Sequence, residues 1–344
     1  MTEANILFIG PGAIGASVAA WVAETYPAVF VMGHGESQAA LRADGITTYR
    51  FGDPDASRRT TRVAVVDRPG EIGNVDIVVL AVKNYGLEAV ARQVHDELGD
   101  RPIVVSLANG IDNQHILPKF FSKVIYGVVA YNARRDRPVV VGYQRKGPLL
   151  IGTLDDTLGS ELGLAQSILA RGCPTEITSR LQDAVHTKIV VNLTNALDAL
   201  VGRGWKPLSN LAVYQELLTQ TLWEGIRIIR AAGYREYRIA GIPSFAFLRA
   251  GTLLPGWLLR PVFKRRLSGY EMGSMTQDVA LRGATDTELE YITGYIDDLA
   301  AQRGVAAPYN RAILRLGREK FRPGFLPMRC EDVLAAVAHD SAQP

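Results

Sequence analysis

Ile6-Leu7-Phe8-Ile9-Gly10-Pro11-Gly12-Ala13-Ile14-Gly15 is the stretch that decides how this chain is read. Four strand-forming residues lead straight into three spaced glycines, and a helix-like segment, Ala13 to Ala23, leads out of them. A dinucleotide-binding βα turn needs that order. The first glycine allows the tight turn, the second lets backbone approach a pyrophosphate, and the third lets helix and strand pack closely. The helix N-terminus then faces the phosphates. The candidate cofactor cradle is therefore Gly10, Pro11, Gly12, Ala13, Ile14 and Gly15. A chain with 33 glycines produces some such spacings by chance, so the placement between strand and helix carries the argument. An ordinary glycine-rich βα loop is the alternative.

The bulk numbers narrow the class. A length of 344 residues is enough for two domains with their own cores. Hydrophobic residues make up 47% and charged residues 21%, which argues against disorder. A net charge of +3 is too small to imply a nucleic-acid partner. The two cysteines, Cys173 and Cys330, lie far apart, and no Cys/His cluster accompanies them. Neither a disulfide framework nor a metal site is expected, which suits a reducing cytoplasm. The first residues carry a strand pattern and no basic n-region with an apolar stretch, so no signal peptide is expected. No apolar run reaches the ~18 residues of a membrane span, so no integral membrane segment is expected.

Along the first half, strand and helix patterns alternate. Ile6–Ile9, Val29–Met32, Ile77–Ala81, Ile103–Ser106 and Val124–Val129 are Val/Ile-rich with little alternation, as in strands buried on both faces. Helical patterns such as Ser37–Ala43 and Leu87–Leu98 lie between them. Val139–Val141 and Leu149–Ile151 read as antiparallel strands finishing the same sheet. A helix over Glu161–Arg171 and a strand near Glu176–Thr178 close the domain. From about Ser179 long helical patterns take over: Leu181–Leu200, Val213–Ala231, Asp286–Arg303 and Pro308–Glu319. The expected architecture is an α/β Rossmann-type N-terminal domain (1–178) followed by an all-α C-terminal domain (179–344).

One segment resists this scheme. Ile239 to Tyr270 is apolar, broken by Pro and Gly, and ends in Lys264-Arg265-Arg266. It reads as a buried interhelical connection with a solvated basic end, or as a lid, a dimer contact or a membrane-surface patch. An apolar surface on the second domain would suit a homodimer, and nothing in the sequence requires one.

A dinucleotide domain followed by a helical one points to a dehydrogenase with its substrate in the crevice between them. Hydride transfer to a carbonyl needs a proton donor at the developing alkoxide and groups that orient the substrate. Lys188, Asn192 and Asn195, spaced i, i+4, i+7, share one face of a helix among Ile189, Val190, Val191 and Leu193. Polar groups in such apolar company need partners, which a bound substrate would provide. A narrow solvent-facing stripe is the alternative.

At this point the residues resemble the ketopantoate reductase (2-dehydropantoate 2-reductase) family, from Gly10 to about Arg311. The Gly-Pro-Gly-Ala-Ile-Gly opening resembles its cofactor turn, and Val82-Lys83-Asn84-Tyr85 its lysine motif after a Rossmann strand. Asn109-Gly110 resembles its Asn-Gly motif, Ala133-Arg134-Arg135 a further segment, and the Lys188/Asn192 helix its catalytic helix. Ser274-Met275-Thr276-Gln277-Asp278 followed by Thr287-Glu288-Leu289-Glu290-Tyr291-Ile292-Thr293-Gly294 resembles its most specific signature. The second domain would then be of the 6-phosphogluconate dehydrogenase C-terminal-like kind.

The resemblance implies roles. Lys188 would be the general acid at the keto oxygen. Asn192, Asn195 and Ser274 would hold substrate oxygens. Asn109 would sit at the nicotinamide end, contacting cofactor and substrate, and Lys83 near the cofactor. Glu288 would contact the cofactor ribose or assist Lys188. Each has a plainer reading. Asn109-Gly110 could be only a turn, Lys83 a solvated lysine, Ser274 a helix cap, and Glu288 the acidic half of a capping box with Thr285. The implied activity is reduction of a small 2-oxo acid, 2-dehydropantoate to pantoate, in cytoplasmic pantothenate biosynthesis. The alternatives are a larger carbonyl or imine substrate, or a non-catalytic dinucleotide-binding protein.

Departures from the family pattern bear on cofactor and substrate. Family members commonly carry a basic residue just after the second strand, where it meets the 2′-phosphate of NADP. Here the stretch is Gly33-His34-Gly35-Glu36-Ser37, with His34 a partial substitute and Glu36 suited to bare ribose hydroxyls. The expected cofactor is NADP(H), with NAD(H) left open. His186 stands where a bulky aromatic is common, and the second asparagine comes early, at Asn195. The spacing from Ser274 to Glu288 is slightly expanded.

Overall fold

The computed structural model describes residues 3–254, 256, 261 and 272–341. The chain divides into two compact units between Leu181 and Gln182.

In the first unit, β1 (Ile6–Ile9) is buried along its whole length. It pairs in parallel with β2 (Val29–Met32) on one side and with β6 (Ile77–Leu80) on the other, Ile6 lying opposite both Val29 and Ile77. β7 (Ile103–Ser106) and β8 (Val124–Val129) continue in parallel beyond β6. β11 (Leu149–Gly152) then joins antiparallel to β8, and β12 (Thr175–Ile177) parallel to β11. With β5 (Ala64–Val65) beside β2, the eight-stranded order is β12-β11-β8-β7-β6-β1-β2-β5. The direction of strand progression reverses at β1, so a crevice opens at the carboxyl end of that strand, where the glycine turn follows.

A second sheet departs from expectation. β3 (Ile46–Arg50), β4 (Arg59–Thr61), β9 (Ala133–Arg137) and β10 (Val140–Tyr143) form a separate four-stranded sheet ordered β4-β3-β10-β9. The strand expected at Val139–Val141 therefore does not finish the main sheet. It pairs parallel with β3 and antiparallel with β9. The reason lies in α1 (Ala13–Ala23), whose residues Gly15 through Val22 are all buried. A helix apolar all round must be covered on every side. The main sheet covers one side, and the second sheet packs on the other. Trp21 of α1 meets Tyr143 edge-on at 4.9 Å and Tyr131 at 5.4 Å, and Ser17 Oγ shares a 3.0 Å hydrogen bond with the Tyr131 hydroxyl.

The second unit is built of helices joined by loops, with no strand among its described residues. The expected continuous helix over Leu181–Leu200 is two helices, α6 (Leu181–Asn192) and α7 (Thr194–Val201). Leu193 interrupts them, its N–H shared between the carbonyls of Ile189 (3.1 Å) and Val190 (3.2 Å). α8 (Leu211–Ala231) starts at Asn210, whose side chain accepts from Ala212 and Val213 N–H. Its Gly225 allows close packing on the end of α6 and the residue after it, since a Cβ there would come 3.4 Å from Val190 Cγ2 and 2.5 Å from Leu193 Cδ1.

The expected helix over Asp286–Arg303 begins late. After Leu289 the chain makes a π-helical turn, Glu290–Gly294, that runs into the helix Tyr295–Arg303. The helix Pro308–Lys320 is started by Glu224, whose carboxylate accepts from the N–H groups of Tyr309 and Asn310 at 3.0 and 2.9 Å. A helix unforeseen from the sequence, Cys330–Ser341, packs on this one. Of the segment Ile239 to Tyr270, the part before residue 255 carries α9 (Phe245–Leu253), capped by Ser244 Oγ accepting from Phe247 N–H at 3.1 Å. The basic stretch Lys264-Arg265-Arg266 lies outside the described residues.

Candidate functional site

The glycine turn is built by close approach. Gly10 has φ +91°, a conformation L side chains rarely adopt, and a Cβ there would strike Val82 Cγ1 at 2.7 Å. A Cβ on Gly15 would sit 2.2 Å from the Gly10 carbonyl oxygen and 2.8 Å from Ala81 Cβ. Gly12 differs: a Cβ there would meet nothing within 4 Å. Gly12 is also the N-cap of α1, and no side chain caps its N–H groups. Open space over uncapped helix N–H groups, at the carboxyl end of β1, is what a pyrophosphate needs. The residues present therefore fit a dinucleotide.

Two loops flank this turn. After β2, Gly33 packs on Pro11, where a Cβ would come within 3.0 Å of the proline Cγ. Gln38 pins that loop by accepting from Gly33 N–H at 2.7 Å and donating to the Val66 carbonyl at 2.8 Å. His34 is exposed and N-caps α2 (Gly35–Asp44) without a side-chain hydrogen bond to it. After β6, Lys83 is the half-buried N-cap residue of α3 (Asn84–Leu98). Asn84, buried, donates from Nδ2 to the Asn109 carbonyl at 2.7 Å. Gly110, next in line, has φ +84°. Within this unit the structure thus brings together the Lys83-Asn84 and Asn109-Gly110 segments. Asn84 had no place among the candidates, because an asparagine at a helix start signals a cap before it signals a tie between loops.

The second unit holds the remaining candidates. Lys188 lies on α6 and keeps part of its surface in contact with solvent. Burial nevertheless lowers its pKa from 10.5 to about 8 by desolvating the ammonium. Asn192 is buried at the end of α6, and half-buried Asn195 falls on α7, beyond the break at Leu193. Leu193 itself keeps helical dihedrals, φ −57° and ψ −27°, between Asn192 and Asn195. Ser274 is exposed and is the first residue of the helix Ser274–Arg282, whose N-cap is Gly273, so the plain capping role does not apply to it. That helix packs on α7. Glu288 is buried just before the π-helical turn. The hydroxyl serving Leu289 N–H is Thr287 Oγ1, at 3.3 Å.

His186 ties α6 to its neighbours within the second unit. Its ring stacks on Tyr234 with centroids 3.4 Å apart. Nδ1–H donates to the Gln182 carbonyl at 2.7 Å, which leaves Nε2 to accept from the Tyr295 hydroxyl at 2.7 Å. Burial pushes its pKa down to about 4, so it is neutral near pH 7. Among the described residues no cluster of His, Cys, Asp and Glu could hold a metal ion. No helix among them is long and apolar enough to cross a membrane.

A parallel sheet with an open glycine turn, followed by an all-helical unit carrying a desolvated lysine, defines a class: the two-part oxidoreductases. The family model for Ketopantoate reductase PanE/ApbA matches residues 6–156, and the model for its C terminal matches residues 180–321. The chain belongs to the ketopantoate reductase family. A 2-dehydropantoate 2-reductase of Halobacterium salinarum is 29% identical over 325 residues, covering 93% of this chain and all of its own length. The PanE/ApbA family ketopantoate reductase of Ralstonia eutropha JMP134 shares the fold with a TM-score of 0.72 at 21% identity, covering 92% of this chain and 97% of its own. D-mandelate dehydrogenase, in its ternary structure with NADH and anilino(oxo)acetate, has a TM-score of 0.73 at 17% identity, covering 98% of this chain and all of its own.

Proposed function

We propose that this protein is an NAD(P)H-dependent reductase that delivers hydride to the carbonyl of a small 2-oxo acid, with NADP(H) as cofactor and 2-dehydropantoate as leading substrate. The observation that carries the reading is Lys188, whose pKa is lowered to about 8 by burial. An ordinary surface lysine holds its proton too firmly to serve as a general acid near neutrality. One at about 8 is mostly protonated at pH 7 and close enough to give the proton up.

Gly10 through Gly15 would hold the pyrophosphate, with the α1 N–H groups donating to it. His34 would lie toward the adenosine ribose, and Lys83 and Asn109 toward the nicotinamide end. When bound, the reduced nicotinamide supplies a hydride to the carbonyl carbon. Lys188 would hold its proton at Nζ against the carbonyl oxygen and release it as negative charge develops there. Asn192, Asn195 and Ser274 would orient the acid by donating to its oxygens. Glu288 would meet the cofactor ribose or assist Lys188. The 29% identity to a 2-dehydropantoate 2-reductase supports the substrate assignment.

A second reading keeps the chemistry and changes the acid. It is favoured by the departures of this chain from the family pattern around the lysine helix, where His186 stands in place of a bulky aromatic and the second asparagine comes early, at Asn195. The test is steady-state oxidation of NADPH and NADH with 2-dehydropantoate beside a panel of aliphatic and aromatic 2-oxo acids. Turnover of 2-dehydropantoate well above the panel supports the first reading, and preference for another acid supports the second. Cofactor binding without turnover of any acid would sink both.

A further inference from the structure

Rossmann-type sites that take a 2′-phosphorylated adenosine place a cation near the carboxyl end of the second strand. Gly33 to Ser37 supply no arginine or lysine there, and Glu36 is acidic. The fold brings one from elsewhere. Arg135 lies on β9, where its register partner on β10 is Val141. Opposed residues of an antiparallel pair share a face. Val141 is fully buried in the core around α1, so Arg135 points to the core side of the second sheet and is half-buried. Its neighbour Arg134 opposes Gly142 and shares the other face with Tyr49 and Phe51. There it pairs with Asp136 at 2.9 Å and lies over the Phe51 ring at 5.4 Å.

From the inner face, Arg135 Nη1 comes within 3.5 Å of Ser37 Oγ, across 98 residues of sequence. Ser37 belongs to the first turn of α2, immediately after the Gly33–Pro11 contact that seats the loop against the glycine turn. The second sheet therefore sets a guanidinium beside the first turn of α2, the helix that follows β2.

We propose that Arg135, with Ser37 Oγ beside it, is the cation that recognises a phosphate on the 2′-oxygen of the adenosine ribose. It would thereby select the phosphorylated dinucleotide over the bare one. The proposal rests on the dinucleotide reading above and adds its selectivity. A guanidinium offers two parallel N–H groups to a phosphate, and the Ser37 hydroxyl offers a third donor. The bare ribose hydroxyls present no charge for that guanidinium to meet.

The test is calorimetric binding of 2′,5′-ADP and of 5′-ADP to the full chain, with no turnover required. The wild type is expected to bind 2′,5′-ADP more tightly than 5′-ADP. Arg135→Gln is expected to weaken 2′,5′-ADP about 10- to 100-fold, the usual worth of a hydrogen bond to a charged group, and to leave 5′-ADP unchanged. Arg135→Lys, which keeps charge without the fork, should recover part of the loss. The unchanged 5′-ADP affinity doubles as the control for folding. Equal affinity of the wild type for both nucleotides, or equal losses for both in Arg135→Gln, would overturn the proposal while leaving the dinucleotide site standing. Failure of the wild type to bind either would overturn the dinucleotide reading itself.

Discussion

Asn84 and Asn109 are tied by a part-buried hydrogen bond, Nδ2 to backbone carbonyl at 2.7 Å, that joins the loops following β6 and β7. The bond spans 25 residues of sequence. It fixes the backbone next to Gly110, at the carboxyl end of two central strands. Asn84→Ala should cost about 1 kcal/mol of unfolding free energy, the usual worth of a part-buried hydrogen bond. Asn84→Asp should cost more at neutral pH, because a carboxylate would then face that carbonyl. Urea unfolding of both variants checks the order. If Asp matches the wild type, the tie carries no energy.

Gly12 and Gly15 should separate by phenotype. Gly15→Ala forces a Cβ to 2.2 Å from the Gly10 oxygen, so it should cost about 1–3 kcal/mol and lower the melting temperature without any ligand. Gly12→Ala meets nothing within 4 Å in the protein itself. It should lose no more than the ~1 kcal/mol of a poorer N-cap. The added methyl would stand where the pyrophosphate has to come close, so dinucleotide affinity should drop sharply in Gly12→Ala. Thermal melts paired with NADPH titration read both effects, and full NADPH affinity in Gly12→Ala would place the pyrophosphate elsewhere.

Lys188 makes two pH-dependent predictions. Its folded pKa of about 8 lies below the 10.5 of an unhindered lysine, so the folded chain holds the proton less firmly than the unfolded one. Folding carries no penalty from this group above pH 10.5. The penalty grows as pH falls toward 8 and is fully present below that. Lys188→Met should therefore be more stable than the wild type at pH 7, with the advantage shrinking from pH 8 to 10.5. As a general acid, Lys188 should make kcat/KM fall as pH rises through about 8. Lys188→Ala should lower kcat by about 100-fold or more while NADPH binding persists. A flat pH profile would remove the lysine from proton transfer.

Asp198, fully buried, holds the interior of the second unit by pairing with Arg203 at 3.2 Å and accepting from the Tyr214 hydroxyl. Asp198→Ala would leave a largely buried guanidinium without its counter-charge, a loss of about 3–5 kcal/mol. Asp198→Asn keeps an acceptor for Tyr214 and should lose less. Chemical denaturation of the two variants, with helicity followed by circular dichroism, tests the difference.

Much of the first unit was legible in the sequence. β1, β2, β7 and β8 fall where unbroken Val/Ile runs place them, because strands buried on both faces need no polar alternation. The second sheet was hidden for the opposite reason. Ala133-Arg134-Arg135-Asp136-Arg137 and Arg59-Thr60-Thr61 are polar, and they become strands because α1 leaves an apolar side to be covered. In the helical unit, periodicity located α8 and the helix from Pro308 to within a residue or two. It carried no sign of the break at Leu193 or the π-helical turn at Glu290–Gly294, since both are small shifts in hydrogen-bond register that leave the apolar spacing intact.

What the sequence by itself determined is the local grammar: a strand, a turn only glycine can make, and a helix, together with a lysine set among apolar neighbours. Those signals are written within a few residues of one another, so steric and hydrophobic rules read them directly. What only tertiary structure decided is which distant groups meet. Asn84 reaches Asn109, Glu224 starts the helix at Pro308, and Arg135 arrives beside Ser37. Each of these pairings depends on strand order and helix packing, which bring together groups that no local pattern connects.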